Sequence, residues 1–294
     1  MKLKPTAECI SCILRQVLEA CEETGEDPTV RYYALREAIA YLNNVDFDRS
    51  DHVRIASDLH RIVREVTGNA DPYREVKKMS NRVALEWLSK NGRTLQRSLS
   101  FKQAVSIAAR GNMIDYGAME TTETPQALID KAMDARIDSK KVLEVRRLVE
   151  ESKHVLYLCD NAGEIAFDKV MVSAIQTLGP EVTVAVRGGP VVNDATIDDA
   201  YEVEMTKLAK TITTGSPVSG VLLTDSSPEF LDTFDQSDLI ISKGQGNLES
   251  LINIRRKTTT VYILKVKCNL IADFLKSQIG ATEIVIQRKR EAKR

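Results

Sequence analysis

The chain has almost no net charge: 41 Lys and Arg stand against 42 Asp and Glu, a formal balance of -1. No overall field draws it to nucleic acid or to a membrane surface, and neither is expected as a partner. No apolar run reaches the roughly 18 residues that a membrane span needs. The opening Met1-Lys-Leu-Lys-Pro5 has no apolar leader of the secretory kind, so the expected compartment is the cytoplasm. Five cysteines, an odd number at irregular spacing, argue against a disulfide framework. His52, His60 and His154 stand at no metal-ligand spacing and read as structural or exposed. The chain has no Gly-x4-Gly-Lys-[Ser/Thr], hence no P-loop, and no Gly-x-Gly-x-x-Gly, which disfavours a nicotinamide cofactor. Internal repeats and low-complexity segments are also lacking.

What is present is an ordinary globular composition. Of 294 residues, 43% are hydrophobic and 28% charged, enough for one large domain or two smaller ones. Residues 1–150 form a helical amino-terminal region by pattern. Helices are predicted from the apolar run opening at Cys9-x-x-Cys12 and over 32–42, 51–66, 73–88, 101–109, 125–132 and 140–151, with Pro28 in the first turn and Asn91-Gly92 ending the fourth. Residues 151–294 alternate strand-like and helix-like runs. The strands are predicted at 155–159, 182–186, 239–242, 260–266 and 283–287, with a weaker run at 221–223. That alternation implies an α/β fold: three α/β/α layers around a mostly parallel sheet, plus the helical amino-terminal region.

Four of these strands end in polar, mostly glycine-rich segments. Asp160-Asn161-Ala-Gly-Glu164 follows the first and Arg187-Gly188-Gly189-Pro-Val-Val-Asn-Asp194-Ala-Thr196 the second. Lys243-Gly244-Gln245-Gly246-Asn247 follows the third, and Lys265-Val-Lys267-Cys268 ends the fourth. A parallel sheet puts all four at one edge, where such sheets bind ligands. Asp160 and Asn161 supply adjacent hard oxygens that suit a divalent cation, and Asp194 offers a third. Helix capping explains Asp160-Asn161 and Asn193–Thr196 equally well. Gly188, Gly189, Gly244 and Gly246 allow backbone amides to approach an anion, or simply make turns. Lys243 and Lys267 offer ammonium groups to phosphate oxygens. In the helical half, Gly111 and Gly117 bracket Asn112 and Asp115, which either lean over the same site or belong to a helix C-cap and restart. Cys9-x-x-Cys12 is a metal or redox candidate, or two small apolar residues on a helix face.

Taken together, Cys9-x-x-Cys12, Gly111-Asn-Met-Ile-Asp115, Asp160-Asn-Ala-Gly-Glu164, Gly188-Gly-Pro-Val-Val-Asn-Asp-Ala-Thr196 and Gly244-Gln-Gly-Asn-Leu-Glu249 resemble the family of unknown function 89. These are the damage-control phosphatases with an ARMT1-like metal-binding domain, and the Cys-x-x-Cys form resembles their prokaryotic branch. The resemblance implies metal-dependent phosphatase activity, with Mn2+, Co2+, Ni2+ or Mg2+, on small phosphorylated metabolites. It implies Asp160, Asn161 and Asp194 as metal ligands and Glu164 as a substrate contact. It places Lys243, Gly244 and Asn247 in a substrate-binding segment, with Lys267 (or Lys265) as a late substrate-binding lysine. Glu164 or Asp194 would orient the attacking water. A carboxylate nucleophile stays open, although no Asp-x-Asp follows the first strand. The competing readings are a non-catalytic metal- or nucleotide-binding regulatory module and a methyltransferase, the latter disfavoured by the Arg187-Gly-Gly end of the second strand. Substrate identity and homo-oligomer formation stay open.

Overall fold

A computed structural model describes residues 3–25, 27–47, 50–96, 99–111, 137–254 and 257–289. Helices α1 (Ala7–Glu23), α2 (Pro28–Leu42) and α3 (His52–Thr67) pack around a core of their own, in which Ile13, Val17, Ala34, Ile55 and Leu59 meet Tyr73. Capping sets their ends. Asp27 and Asp51 accept the Thr29 and Val53 N–H at 2.7 and 3.0 Å. Pro28 is the first residue of α2, where no N–H is needed, rather than a residue of the turn. Gly68 ends α3 at a left-handed φ of +65°.

His60 lies inside this first core, with its Nε2 buried and without a hydrogen-bond partner. Burial, reinforced by the Arg64 charge, pushes its imidazole down to about 4. Protonation therefore favours the unfolded chain. The contribution is neutral above the ordinary value of 6.5 and turns destabilising as pH falls toward 4. Urea unfolding is expected to reveal about 2 kcal/mol of extra loss near pH 5. That increment should vanish in His60→Phe; an unchanged pH profile in the variant would refute it.

Helices α4 (Arg74–Gln96), α5 (Phe101–Gly111) and α6 (Ser139–Glu150) belong to a different core. The fourth helix continues past Asn91-Gly92, where the sequence pattern ends it. An interior glycine costs a helix only about 1 kcal/mol against alanine, too little to force a stop. The helix predicted over 125–132 lies outside the described residues, as do Asn112 and Asp115.

Six strands follow: β1 (His154–Leu158), β2 (Glu181–Val186), β3 (Lys210–Thr213), β4 (Leu239–Lys243), β5 (Thr259–Lys265) and β6 (Thr282–Gln287). Their order across the sheet is β3-β2-β1-β4-β5-β6, parallel except for the antiparallel edge strand β6. The intervening helices are α7 (Glu164–Thr177), α8 (Ile197–Glu202), α9 (Met205–Leu208), α10 (Pro228–Gln236), α11 (Gln245–Leu251) and α12 (Asn269–Leu275). Strand alternation splits the side chains between two faces. Val155, Tyr157, Val184 and Ile241 face α4 to α7, where the Trp87 and Phe167 rings meet at a tilt, 5.6 Å between centroids. Leu156, Leu158, Ile240 and Tyr262 face α10, α11 and α12 through Phe230, Leu248 and Ile271. The result is the expected three-layer α/β/α arrangement. The 221–223 run is not a strand: Val221 and Leu222 are buried by packing, and Leu223–Asp225 is a short 3-10 turn. Among the described residues no helix is long and apolar enough to cross a membrane.

Candidate active site

Strand register brings three loops to one level. Leu158 pairs with Ala185 of β2 and with Ser242 of β4. Two residues further on stand Asp160, Arg187 and Gly244, adjacent at the carboxyl edge. They flank the gap between β1 and β4, where the strand order reverses and open α/β sheets bind ligands.

The backbone then ties the first two loops together. The Ala195 N–H donates to the Asp160 carbonyl at 2.7 Å, and the Ala162 N–H to the Asn193 carbonyl at 2.9 Å. Asn161 and Asp194 form an isolated antiparallel bridge. Asp160, Asn161 and Asp194 thus share one rim, and all three are buried. Arg187, 1% exposed, lies between the carboxylates. Its Nε donates to Asp194 Oδ2 at 2.6 Å, and its Nη1 to the Gly220 carbonyl at 2.8 Å and to Asn247 Oδ1 at 2.9 Å. Its Nη2 stands 3.7 Å from Asp160 Oδ1 and has no hydrogen-bond partner. Burial pushes the Asp194 carboxyl up to about 6; the Asp160 charge adds to this, while Arg187 and Lys267 oppose it.

Gly244 is a slot for this rim. A Cβ built there would lie 1.9 Å from Asp160 Oδ2, and its φ is +81°. Its N–H donates to the Ile263 carbonyl at 2.9 Å, and that of Gly188 to the Ser216 carbonyl at 3.0 Å. Those two amides therefore serve the fold rather than an anion nest, which departs from the sequence expectation. Asn247 bridges three segments: besides accepting from Arg187, it donates to the Cys159 and Lys243 carbonyls at 3.1 and 2.7 Å. The Gln245 amide donates to Glu249 at 2.8 Å and accepts the Lys267 N–H at 3.0 Å.

Beneath the rim is a second charged cluster. Lys243, fully buried, donates to Glu164, to Asp168 Oδ1 at 2.8 Å and to the Ala108 carbonyl at 2.9 Å. Tyr157 donates its hydroxyl to the same Asp168 oxygen at 2.6 Å. Burial pushes the Asp168 carboxyl and the Tyr157 phenol up. Burial opposes the Lys243 charge, yet Asp168 and Glu164 hold the ammonium above its ordinary range. In this arrangement all three ammonium hydrogens are used on Glu164, Asp168 and the Ala108 carbonyl, and none is offered to a phosphate oxygen as the sequence reading expected. Lys267, by contrast, is exposed. Sequence reasoning missed Asp168 and Arg187. The available signal for Asp168 was its position one helical turn after Glu164, on a face otherwise made of Ile165, Phe167 and Met171.

Comparison with known proteins bears on this geometry. The model of the damage-control phosphatase ARMT1-like domain matches residues 6–282. The chain belongs to this family. The damage-control phosphatase PH1575 of Pyrococcus horikoshii is 32% identical, over 95% of this chain and 96% of its own. A damage-control phosphatase of Archaeoglobus fulgidus is 30% identical, over 95% and 97%. The crystal structure of PH1575, described as a DUF89 family protein, superposes with a TM-score of 0.85 at 31% identity, covering 95% of this chain and 97% of that one. These relatives support a phosphatase role for this family member.

The rim of this family member is chemically suited to a hard divalent cation. Two buried carboxylates face one guanidinium, with a neutral carboxamide beside them, and together they offer hard oxygen atoms. Among the described residues no three His, Cys, Asp or Glu side chains form a metal cluster. A cation at this rim would need the Asn161 amide oxygen as its third donor. Cys9 is buried and accepts the Thr6 N–H at 3.4 Å, Cys12 is half-buried, and neither forms a disulfide.

Proposed function

We propose that the protein hydrolyses phosphate monoesters of small metabolites, sugar phosphates or related compounds, with a divalent cation held by Asp160, Asn161 and Asp194. What supports this reading is the meeting of two buried carboxylates and a carboxamide at the gap between β1 and β4, within a family whose relatives are named phosphatases. Mn2+, Co2+, Ni2+ and Mg2+ all suit such a donor set. When bound, a cation of this kind supplies charge neutralisation at phosphoryl oxygens and a more acidic water.

The chain's own groups do the rest. Arg187 fixes the Asp194 carboxylate through its 2.6 Å bond and offsets part of the charge that Asp194 and Asp160 bring into the interior. Glu164, held by Lys243 at the start of α7, positions the proton of the attacking water. Lys267, exposed at the rim with its charge acting on Asp194, binds a phosphate oxygen. The cytoplasm is the proposed compartment, in keeping with five cysteines that form no disulfide.

Asp160→Ala tests the reading. Metal-dependent hydrolysis of p-nitrophenyl phosphate is expected to fall on the order of 100- to 1,000-fold in a variant that still unfolds cooperatively. Undiminished turnover would remove Asp160 from the chemistry. A panel of phosphomonoesters assayed with Mn2+, Co2+, Ni2+ and Mg2+, reading inorganic phosphate, addresses substrate class and metal.

A further inference from the structure

Asn81 lies in α4, outside every motif at the sheet edge, and is fully buried. Its amide is saturated. Oδ1 accepts the Gly163 N–H at 2.6 Å, and Nδ2 donates to Asp199 Oδ1 at 3.0 Å and to Glu202 Oε2 at 2.7 Å. One end therefore holds the turn that carries Asp160 and Asn161. The other holds α8, which starts just after Asp194. Asp199 makes that connection stiff, because its Oδ2 accepts the Thr196 N–H at 2.8 Å and the Thr196 hydroxyl at 2.7 Å. Lys77, one turn before Asn81, adds a tie to Asp199 at 3.4 Å. The approach is close as well: a Cβ on Gly163 would lie 2.8 Å from the Ser80 Cβ.

Only an amide suits this position. It must accept from a backbone N–H while donating to two carboxylates. Aspartate would set a third carboxylate against Asp199 and Glu202. Alanine would leave the Gly163 N–H and both carboxylate oxygens without this partner.

We propose that Asn81 is a positioning residue that sets the spacing of the two loops from which the cation is held, so that the helical region tunes the affinity of the metal site. This rests on the metal-site reading above. Residues that orient metal ligands from behind typically change affinity 10- to 100-fold when removed.

Mn2+ titration of the full chain, followed by the electron paramagnetic resonance of free and bound Mn2+, tests it without reference to turnover. Asn81→Ala is expected to weaken Mn2+ binding about 10- to 100-fold and to broaden the bound signal. Asp199→Ala, which also removes the Thr196 cap and the Lys77 tie, should do the same or more, and the double variant should lose less than the two singles combined, because they share the Asn81–Asp199 bond. If Asn81→Ala does not fold, Asn81→Ser, too short to span both loops, carries the same expectation. Unchanged Mn2+ affinity in a folded Asn81 variant, or additive losses in the pair, overturns the proposal. Absence of Mn2+ binding by the unmodified protein would instead overturn the metal-site reading, and this inference with it.

Discussion

Lys243→Met is expected to destabilise the protein by about 3–5 kcal/mol, the usual cost of removing one partner from a buried ion cluster. Lys243, Glu164 and Asp168 are 0%, 1% and 0% exposed, so no solvent replaces the lost cation. The sign of the pH dependence follows. Without the ammonium, the two carboxyls in the folded variant titrate above their unfolded values. Protonation then relieves the deficit, which should be larger at pH 8 than at pH 5. Urea unfolding at the two pH values measures this. A variant within about 1 kcal/mol of the parent at pH 8 would show that water or side-chain motion compensates the cluster.

Gly244→Ala is expected to fold and to lose the metal site. At φ +81° and ψ 165°, a region held almost only by glycine, an alanine carries about 1–3 kcal/mol of backbone strain, which a domain of this size can bear. The added methyl group would sit 1.9 Å from Asp160 Oδ2, 2.0 Å from its Cγ and 2.4 Å from its Oδ1, however, so the whole Asp160 side chain must swing out of its place. Mn2+ affinity should therefore fall about 100-fold or more, with thermal unfolding displaced only modestly. The contrast with Lys243→Met is informative: one variant removes the foundation of the edge, the other displaces one side chain of the proposed metal site. Parent-like Mn2+ binding in Gly244→Ala would mean that Asp160 is not a ligand in its observed rotamer.

Much of this architecture is written in local pattern. The strands β1, β2, β4 and β5 are apolar runs buried on both faces, which a period-free hydrophobic stretch between turn residues reveals. β3 is not legible. In Lys210-Thr-Ile-Thr213 only Ile212 is buried, because an edge strand needs little apolar surface. The opposite error occurs at 221–223, where apolar residues are buried by packing and not by pairing. The common placement of Asp160, Asn161, Glu164 and Asp194 at one sheet edge is legible because polar residues crowd the ends of buried strands. The position of Lys243 at a strand end is legible, but not its inward orientation. Its partner Asp168 sits mid-helix, where an acidic residue usually faces water, and only tertiary packing makes it internal. Asn81 is least legible of all, since nothing near it in the chain indicates that Gly163 and Asp199 come to meet it.

The shared packing of α4, α5 and α6 with the sheet bears on how such proteins diversify. Trp87, Val105 and Val145 interdigitate with Phe167 and Val184, so a fragment beginning at residue 151 would present a bare greasy surface to the medium. Recombination at the visible change of element type is expected to yield insoluble chimeras, whereas the α1–α3 core meets the rest of the chain mainly through Tyr73, Val192 and the small cluster of Val53, Val218 and Leu222.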